Sequence, residues 1–386
     1  MYTLLISIIY LAFISLGLPD SLLGSAWPIL HQEIDVSISF LGVISMAVSG
    51  ATIISSLLSD KLTHKFGTKW ITTISVFISA ISLLGFSYSK SIWAIMLWAI
   101  PYGFGAGGID AALNNYVALH YSSKHMSWLH CFWGVGTVIS PFVMSFSLAN
   151  FSWRAGYLII AFIQFTIGAI LLFTLPLWKV NDNNSHKNIE NNTTIGILQA
   201  LQIKGVPSLL LGFFSYCAAE STAISWSCTY LVEAKNIDEP TAAALASSFF
   251  IGMTFGRFLG GFVMDKMGYR KMILLGFGIL SLGILIMILP IENYLLSLIG
   301  LIILGLGCAP IYPCIIHSTP SNFGAENSGA IIGIQMACAY LGSTFMAPLF
   351  GVIGKAIGFN LFPVYFLVFA IIMVYMLELT FKSTKK

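Results

Sequence analysis

Three carboxylates, Asp20, Asp110 and Glu220, stand well inside long apolar runs. A charge at the centre of a membrane-spanning helix costs about 2.5–3.5 kcal/mol on insertion scales, so acids kept there are expected to have work to do. A carboxyl group on a water-lined path can take a proton from one side and release it to the other as access changes. The alternative is a static pair with Arg257, His130 or a helix terminus. Amides and aromatics with polar tips accompany the acids. Asn114 follows Asp110 by four positions and shares its helical face. His130, Trp133, Tyr216, Trp226, Tyr312 and Gln335 lie on other runs. A sugar ring has an apolar face and a rim of hydroxyls, which suits indole stacking combined with amide and carboxylate hydrogen bonds. Interface anchoring for the tryptophans and interhelical bonding for the amides are the competing roles.

The elements that position these groups follow from composition. Of the 386 residues, 57% are hydrophobic and 9% are charged. A soluble domain carries about a quarter charged residues. Continuous apolar runs exclude a barrel, and open sheets cannot exist in lipid. The runs predict helices near 3–29, 39–58, 70–88, 91–119, 128–149 and 154–178. They resume near 207–231, 240–263, 271–289, 293–316, 328–352 and 361–380. The first run is expected to be a retained helix, since no basic leader precedes it. Breakers interrupt several runs: Pro19 and Pro28 in the first, Pro101 and four glycines in the fourth, Pro310 and Pro313 around Tyr312 in the tenth. Six cysteines lie in apolar runs without metal-like spacing and are expected to be small packing residues.

Orientation follows from the loops. If the first residue is cytoplasmic, Lys90, Arg154, Lys235 and Lys355 are the only basic residues outside, and Arg257 is the only one within a span. The other basic residues then face the cytoplasm, which predicts a cytoplasmic-membrane protein with both termini inside. A polar stretch divides the runs six and six. The expected organisation is residues 1–178 as one bundle, 179–206 as a cytoplasmic linker and 207–386 as a second bundle.

The halves are related. A shift of 200 places Asp20-Ser21 on Glu220-Ser221, 202 places Gly103 on Gly305, and 206 places Gly136 on Gly342. The run Gly261-x-x-x-Asp265-Lys266-x-Gly268-x-Arg270-Lys271 resembles the signature loop of the major facilitator superfamily. A differently spaced first-half copy holds Asp60 and Lys61. This resemblance implies an all-α membrane protein of the major facilitator fold, with 12 transmembrane helices as two six-helix bundles. It implies alternating access about a central path lined by the first, fourth and seventh helices. It also assigns Asp60, Lys61, Arg257, Asp265, Lys266 and Arg270 to a structural gate.

A narrower resemblance is to the fucose permease group. It rests on Gly107-Gly-Ile-Asp110-Ala-Ala-Leu-Asn114, on Tyr216-Cys-Ala-Ala-Glu220 with Ser225-Trp226, and on Gly305-Leu-Gly-Cys-Ala-Pro310-Ile-Tyr312-Pro313. In that group, acids on the first and fourth helices serve proton coupling and sugar binding, and Asp20 and Asp110 are the matching positions. Two departures stand out. Trp133 occupies the place of a polar fifth-helix residue, and Asp110 is one methylene shorter than the group's glutamate. The implied function is proton-coupled uptake of a sugar or sugar-like neutral solute. An exporter of amphipathic compounds and a non-transporting membrane receptor or assembly partner are the alternatives. Neither a paired nucleophile and base nor a phosphate-cradling loop appears, so no enzyme is expected. The expected partners are a small-molecule substrate, protons and the lipid bilayer. No cofactor, metal or nucleic acid is expected, and the chain is expected to be a monomer.

Overall fold

Long runs of Leu, Ile and Phe, broken by small residues, dictate helices whose outer faces meet lipid. The computed structural model describes residues 2–37, 40–178, 195–237, 239–289 and 294–384. In the first half these form α1 (Tyr2–Gly17), α2 (Leu22–Glu33), α3 (Phe40–Phe66), α4 (Thr68–Tyr88), α5 (Ile92–His120), α6 (Ser123–Asn150) and α7 (Trp153–Phe173). A short α8 (Ile197–Gln202) precedes α9 (Val206–Lys235), α10 (Glu239–Ala246) and α11 (Ser248–Met267). The chain continues through α12 (Tyr269–Ile288), α13 (Tyr294–Cys308), α14 (Ile311–Phe323), α15 (Ala325–Ile357) and α16 (Phe362–Thr384). The expected linker lies largely in 179–194, outside the described residues.

Among the described residues, ten helices or joined helix pairs are long and apolar enough to cross a membrane. The remaining two long helices are α9, with 30 residues, and α11, with 20. These two hold Glu220 and Arg257, and the small hydroxyl residues of α9 dilute its apolar surface further. Among the described residues twelve spans result, three of them interrupted: the first at Leu18–Ser21, the eighth at Ser247 and the tenth at Ala309–Pro310. Helix ends run past the predicted ones, as in α3, which continues to Phe66, and α6, which begins at Ser123. Hydropathy marks the part of a helix inside lipid, while backbone hydrogen bonding carries the helix on into water.

The chain divides into two compact units. One is Met1–His120 with Leu129–Ile195; the other is Tyr121–Trp128 with Gly196–Lys386. In the first, α5 packs on α3 and α4, and α4 on α7. In the second, α13 packs on α11 and α12, and α9 on α15 and α16. Phe142 and Phe173 are 72% and 82% exposed, which hydrocarbon accommodates and water would not.

The internal repeat reappears as matched close contacts. A Cβ at Gly136 would lie 2.4 Å from the carbonyl oxygen of Ile14, and one at Gly342 would lie 2.6 Å from that of Phe214. Ile14 and Phe214 differ by the same 200 positions as Asp20 and Glu220. Likewise Gly103 meets the Val48 carbonyl at 2.3 Å and Gly305 meets that of Phe249 at 2.1 Å. Only glycine lets helix backbones approach so closely. The two signature loops also turn alike, at Gly67 (φ 79°) and Gly268 (φ 77°), a left-handed conformation that favours glycine.

Candidate functional site

In the first unit the site is built on the broken span. Gly17 ends α1 and Pro19 lacks an N–H, so the backbone closes by turn bonds from Asp20 to Gly17 and from Leu22 to Pro19. Ser21 Oγ ties the break to α6 by donating to the Thr137 carbonyl at 3.0 Å. A Cβ at Gly17 would lie 2.2 Å from the Trp133 carbonyl oxygen, so α6 passes directly against the end of α1. This approach delivers Trp133 to the carboxylate. Its Nε1 donates to Asp20 Oδ2 at 2.9 Å, and Tyr102 Oη on α5 donates to Oδ1 at 3.0 Å. The Asp20 side chain is exposed, although it sits near the middle of a 31-residue span. No salt bridge joins Asp20 to a cation among the described residues.

A second polar group lies deeper in the same unit. Asn114 Nδ2 donates to Asp110 Oδ1 at 2.8 Å, and His130 Nε2 stands 3.1 Å from Asn114 Oδ1. All three residues are buried, and Phe13 meets the His130 ring edge-on. Because Asn114 donates through its amide nitrogen, its oxygen is left to accept from the His130 N–H. Asp110, Asn114 and His130 thus form one chain of hydrogen bonds running from α5 to α6.

In the second unit Glu220 is neutralised. Arg257 lies 3.2 Å from Glu220 Oε1, with side chains 4% and 15% exposed respectively. Tyr216 Oη, one turn before Glu220 on α9, donates toward Glu220 Oε1 and the Cys308 carbonyl, both at 3.0 Å. The break between α13 and α14 leaves that carbonyl at a helix end, where it needs an outside donor. Tyr312 stands beside this group, 6.1 Å from Tyr216 and 4.8 Å from Phe213 between ring centroids, and its hydroxyl meets Met336 Sδ at 3.3 Å.

The sequence match to known families decides the membership of a chain with these features. The family model of the Major Facilitator Superfamily matches residues 9–230 and 208–384. The chain belongs to the major facilitator superfamily. Two curated proteins to which it is similar match at low identity. It is 24% identical over 314 residues to the glucose/mannose transporter GlcP of Bacillus subtilis, covering 79% of this chain and 77% of GlcP. It is 23% identical over 279 residues to Bypass of stop codon protein 6 of Saccharomyces cerevisiae, covering 66% of this chain and 56% of that protein. Among solved structures, FucP, a superfamily transporter crystallised in the outward conformation, matches with a TM-score of 0.78 at 16% identity, covering 97% of this chain and 98% of FucP. At that identity the likeness establishes the fold.

For a superfamily member, the remaining predicted residues fall into distinct places. Trp226 Nε1 donates to the Ala347 carbonyl at 2.7 Å and its ring stacks on Phe359, so it ties α9 to α15. Gln335 accepts from Thr319 Oγ1 at 2.9 Å and is fully buried. Of the signature-loop residues, Asp265 accepts from Ser123 Oγ, and Arg270 grips Glu378 on α16 through two bonds of 2.7 Å. Lys266 is exposed. Arg257 meets Glu220 through its side chain, while its carbonyl accepts from Ser127 Oγ at 2.5 Å. Asp60 and Lys61 lie in the last two turns of α3. Counted back from the left-handed glycines, His64 and not Asp60 stands where Asp265 does.

Tyr102 and Glu378 escaped the sequence reading. Tyr102 follows Pro101 in a glycine-rich run whose only visible signal is close packing. Its partner lies 82 residues away and is brought to it only by the break in the first span.

Proposed function

We propose that this protein is a secondary transporter that takes up a sugar or sugar-like neutral solute together with protons, working by alternating access. The observation that carries the reading is the exposed Asp20 carboxylate, held by an indole N–H and a phenol O–H at a break in a membrane helix. An indole face beside a carboxylate acceptor suits a polyhydroxylated ring. A carboxylate with no cation beside it can gain and lose a proton, whereas Glu220 has Arg257 as its counter-charge. The sequence likeness to a glucose/mannose transporter and the fold likeness to FucP, named in another structure a fucose:proton symporter of E. coli, support the same class. On this reading Asp20, Asp110 and Glu220 belong to the coupling machinery, with Asn114 and His130 attached to Asp110. Trp133 is the candidate solute residue of the first unit, and Tyr216, Trp226, Tyr312 and Gln335 are those of the second. The basic loops put both termini in the cytoplasm, and each chain works alone.

The test is solute-driven proton movement in energy-starved cells expressing the protein. Sugars, amino acids and cationic dyes are added in turn and the external pH is recorded. Alkalinisation with a sugar, lost in Asp20→Asn, is the expected result. The exposed, aromatic-flanked carboxylate of Asp20 would also suit a cationic amphiphile. Dye efflux without any sugar response would replace uptake with export. Silence across the panel would leave a receptor or assembly role.

A further inference from the structure

His317 is buried in the second unit and takes no part in the groups described above. It lies near the end of α14, and both of its ring nitrogens are engaged. Nε2 stands 2.7 Å from the carbonyl oxygen of Tyr121, in the turn between α5 and α6. A carbonyl oxygen can only accept, so Nε2 carries a hydrogen whatever the charge on the ring. Nδ1 stands 2.8 Å from Tyr269 Oη, at the start of α12. In the neutral ring Nδ1 is therefore bare and accepts from the Tyr269 hydroxyl. The Tyr121 carbonyl thus fixes the tautomer, and Nδ1 is the one place where the ring can take a proton.

We propose that His317 is a proton-binding site apart from the coupling acids, a clasp that grips the turn before α6 more strongly when it is charged. A proton on Nδ1 makes the Nε2–H bond to the Tyr121 carbonyl a charge-assisted one, about twice as strong as its neutral form. Nδ1–H then donates to Tyr269 Oη, and the tyrosine hydrogen turns away. Tyr269 follows the loop glycine Gly268 and is partly exposed, so water is at hand to accept it. No tyrosine O–H bond breaks, and the net change is one proton gained by His317. Other bonds hold the same segment. Ser123 Oγ donates to Asp265, Ser127 Oγ to the Arg257 carbonyl, and Trp128 Nε1 to the Phe258 carbonyl at 3.3 Å. Of these donors only the histidine ring changes charge near neutral pH. The titratable groups facing His317 are Asp265 on α11, His125 on α6 and Tyr269 on α12. Asp265 supplies the negative charge beside a protonated ring. Among the described residues, α9, α13, α15 and α16 also pack on α14 and bring no charged group to the ring. The segment matters because α6 starts in the second unit and continues in the first. On the reading of the protein as a proton importer with this end in the cytoplasm, an acid interior tightens the hold on α6 and slows uptake; this consequence rests on the function proposed above.

The experiment is hydrogen–deuterium exchange of the full-length protein in lipid nanodiscs. It is read on peptides covering Tyr121–Trp128 from about pH 5 to about pH 8, the range in which histidine titrates, and corrected for the intrinsic pH dependence of amide exchange. Protection of this segment is expected to rise by about threefold to tenfold toward acid, the gain from one strengthened hydrogen bond. His317→Gln offers the Tyr121 carbonyl an amide N–H that cannot gain a charge, so its protection should not change with pH. His125→Gln leaves His317 in place and should keep the rise. Should the glutamine variant at 317 fail to insert, His317→Leu, which has no donor, is expected to show weaker protection without pH dependence. A rise that is equal with and without His317, or absent from the unaltered protein, overturns the clasp. Solute-driven proton movement tests the consequence separately. His317→Gln is expected to take up protons faster than the unaltered protein when the interior is acid, and equal rates would overturn the slowing. If no solute moves protons, the function proposed above falls, while the exchange result still decides the clasp.

Discussion

Two acids at equivalent places in the repeat have opposite electrostatic settings. Asp20 takes its hydrogen bonds from neutral donors and is exposed, whereas Glu220 is paired with Arg257 and mostly buried. A buried pair is costly to break because removal of one partner strands the other charge in low dielectric. Glu220→Gln is therefore expected to lower stability by about 3–5 kcal/mol. Replacing both residues, as Glu220→Gln with Arg257→Met, should restore much of that loss. Thermal unfolding of the purified variants in detergent checks this; equal losses in the single and double variants would count against the pair. The acids and Asn114 could be picked out by type, since charge and amide in an apolar run are conspicuous. Their partners could not. Nothing near Glu220 in the chain names Arg257, which is 37 positions away.

Helix contacts set the geometry that the side chains inherit. Gly17 and Gly136 press α1 and α6 together, each facing a carbonyl of the opposite helix, and Trp133, whose carbonyl Gly17 faces, lies one turn before Gly136 on α6. Gly136→Val is expected to push α6 away from Ile14 and to withdraw Trp133 Nε1 from Asp20. Solute-dependent quenching of tryptophan fluorescence should fall, together with solute-driven proton movement. A variant with unchanged quenching and unchanged proton movement would show that the close approach is dispensable. Proline reads differently at different places. Pro19 and Pro310 coincide with true breaks, yet α5 runs unbroken for 29 residues through Pro101. A lost backbone bond interrupts a helix only where neighbouring segments take over the freed groups. At the tenth-span break Tyr216 does so for the Cys308 carbonyl.

For the molecule as a whole, duplication accounts for more than the count of spans. The same pairs of helices approach at the same glycines in each unit, at offsets near 200. Segment Tyr121–Trp128 is a departure from a clean division. It begins α6 but clusters with the second unit, where Trp128 covers Gly261 and Tyr121 offers its carbonyl to His317 at 2.7 Å. The loop charges predict cytoplasmic termini. A fluorescent protein that matures only in the cytoplasm, fused after Lys386, is expected to fluoresce, and a fusion placed in the loop after Tyr88 is expected to stay dark. The reverse pattern would invert the topology.

Composition and hydropathy by themselves determined the membrane environment, the helical class, twelve spans and the six-plus-six layout, because lipid demands long apolar helices and each one is written locally, and the offsets between matched residues carried the internal repeat. The identity of the conspicuous polar residues was likewise local information. Tertiary structure alone decided that Trp133 and Tyr102 hold Asp20, that Arg257 answers Glu220, that Trp226 is a helix tie and that Arg270 meets Glu378. Those contacts join residues tens of positions apart, through helix approaches of a few ångströms that no periodicity records.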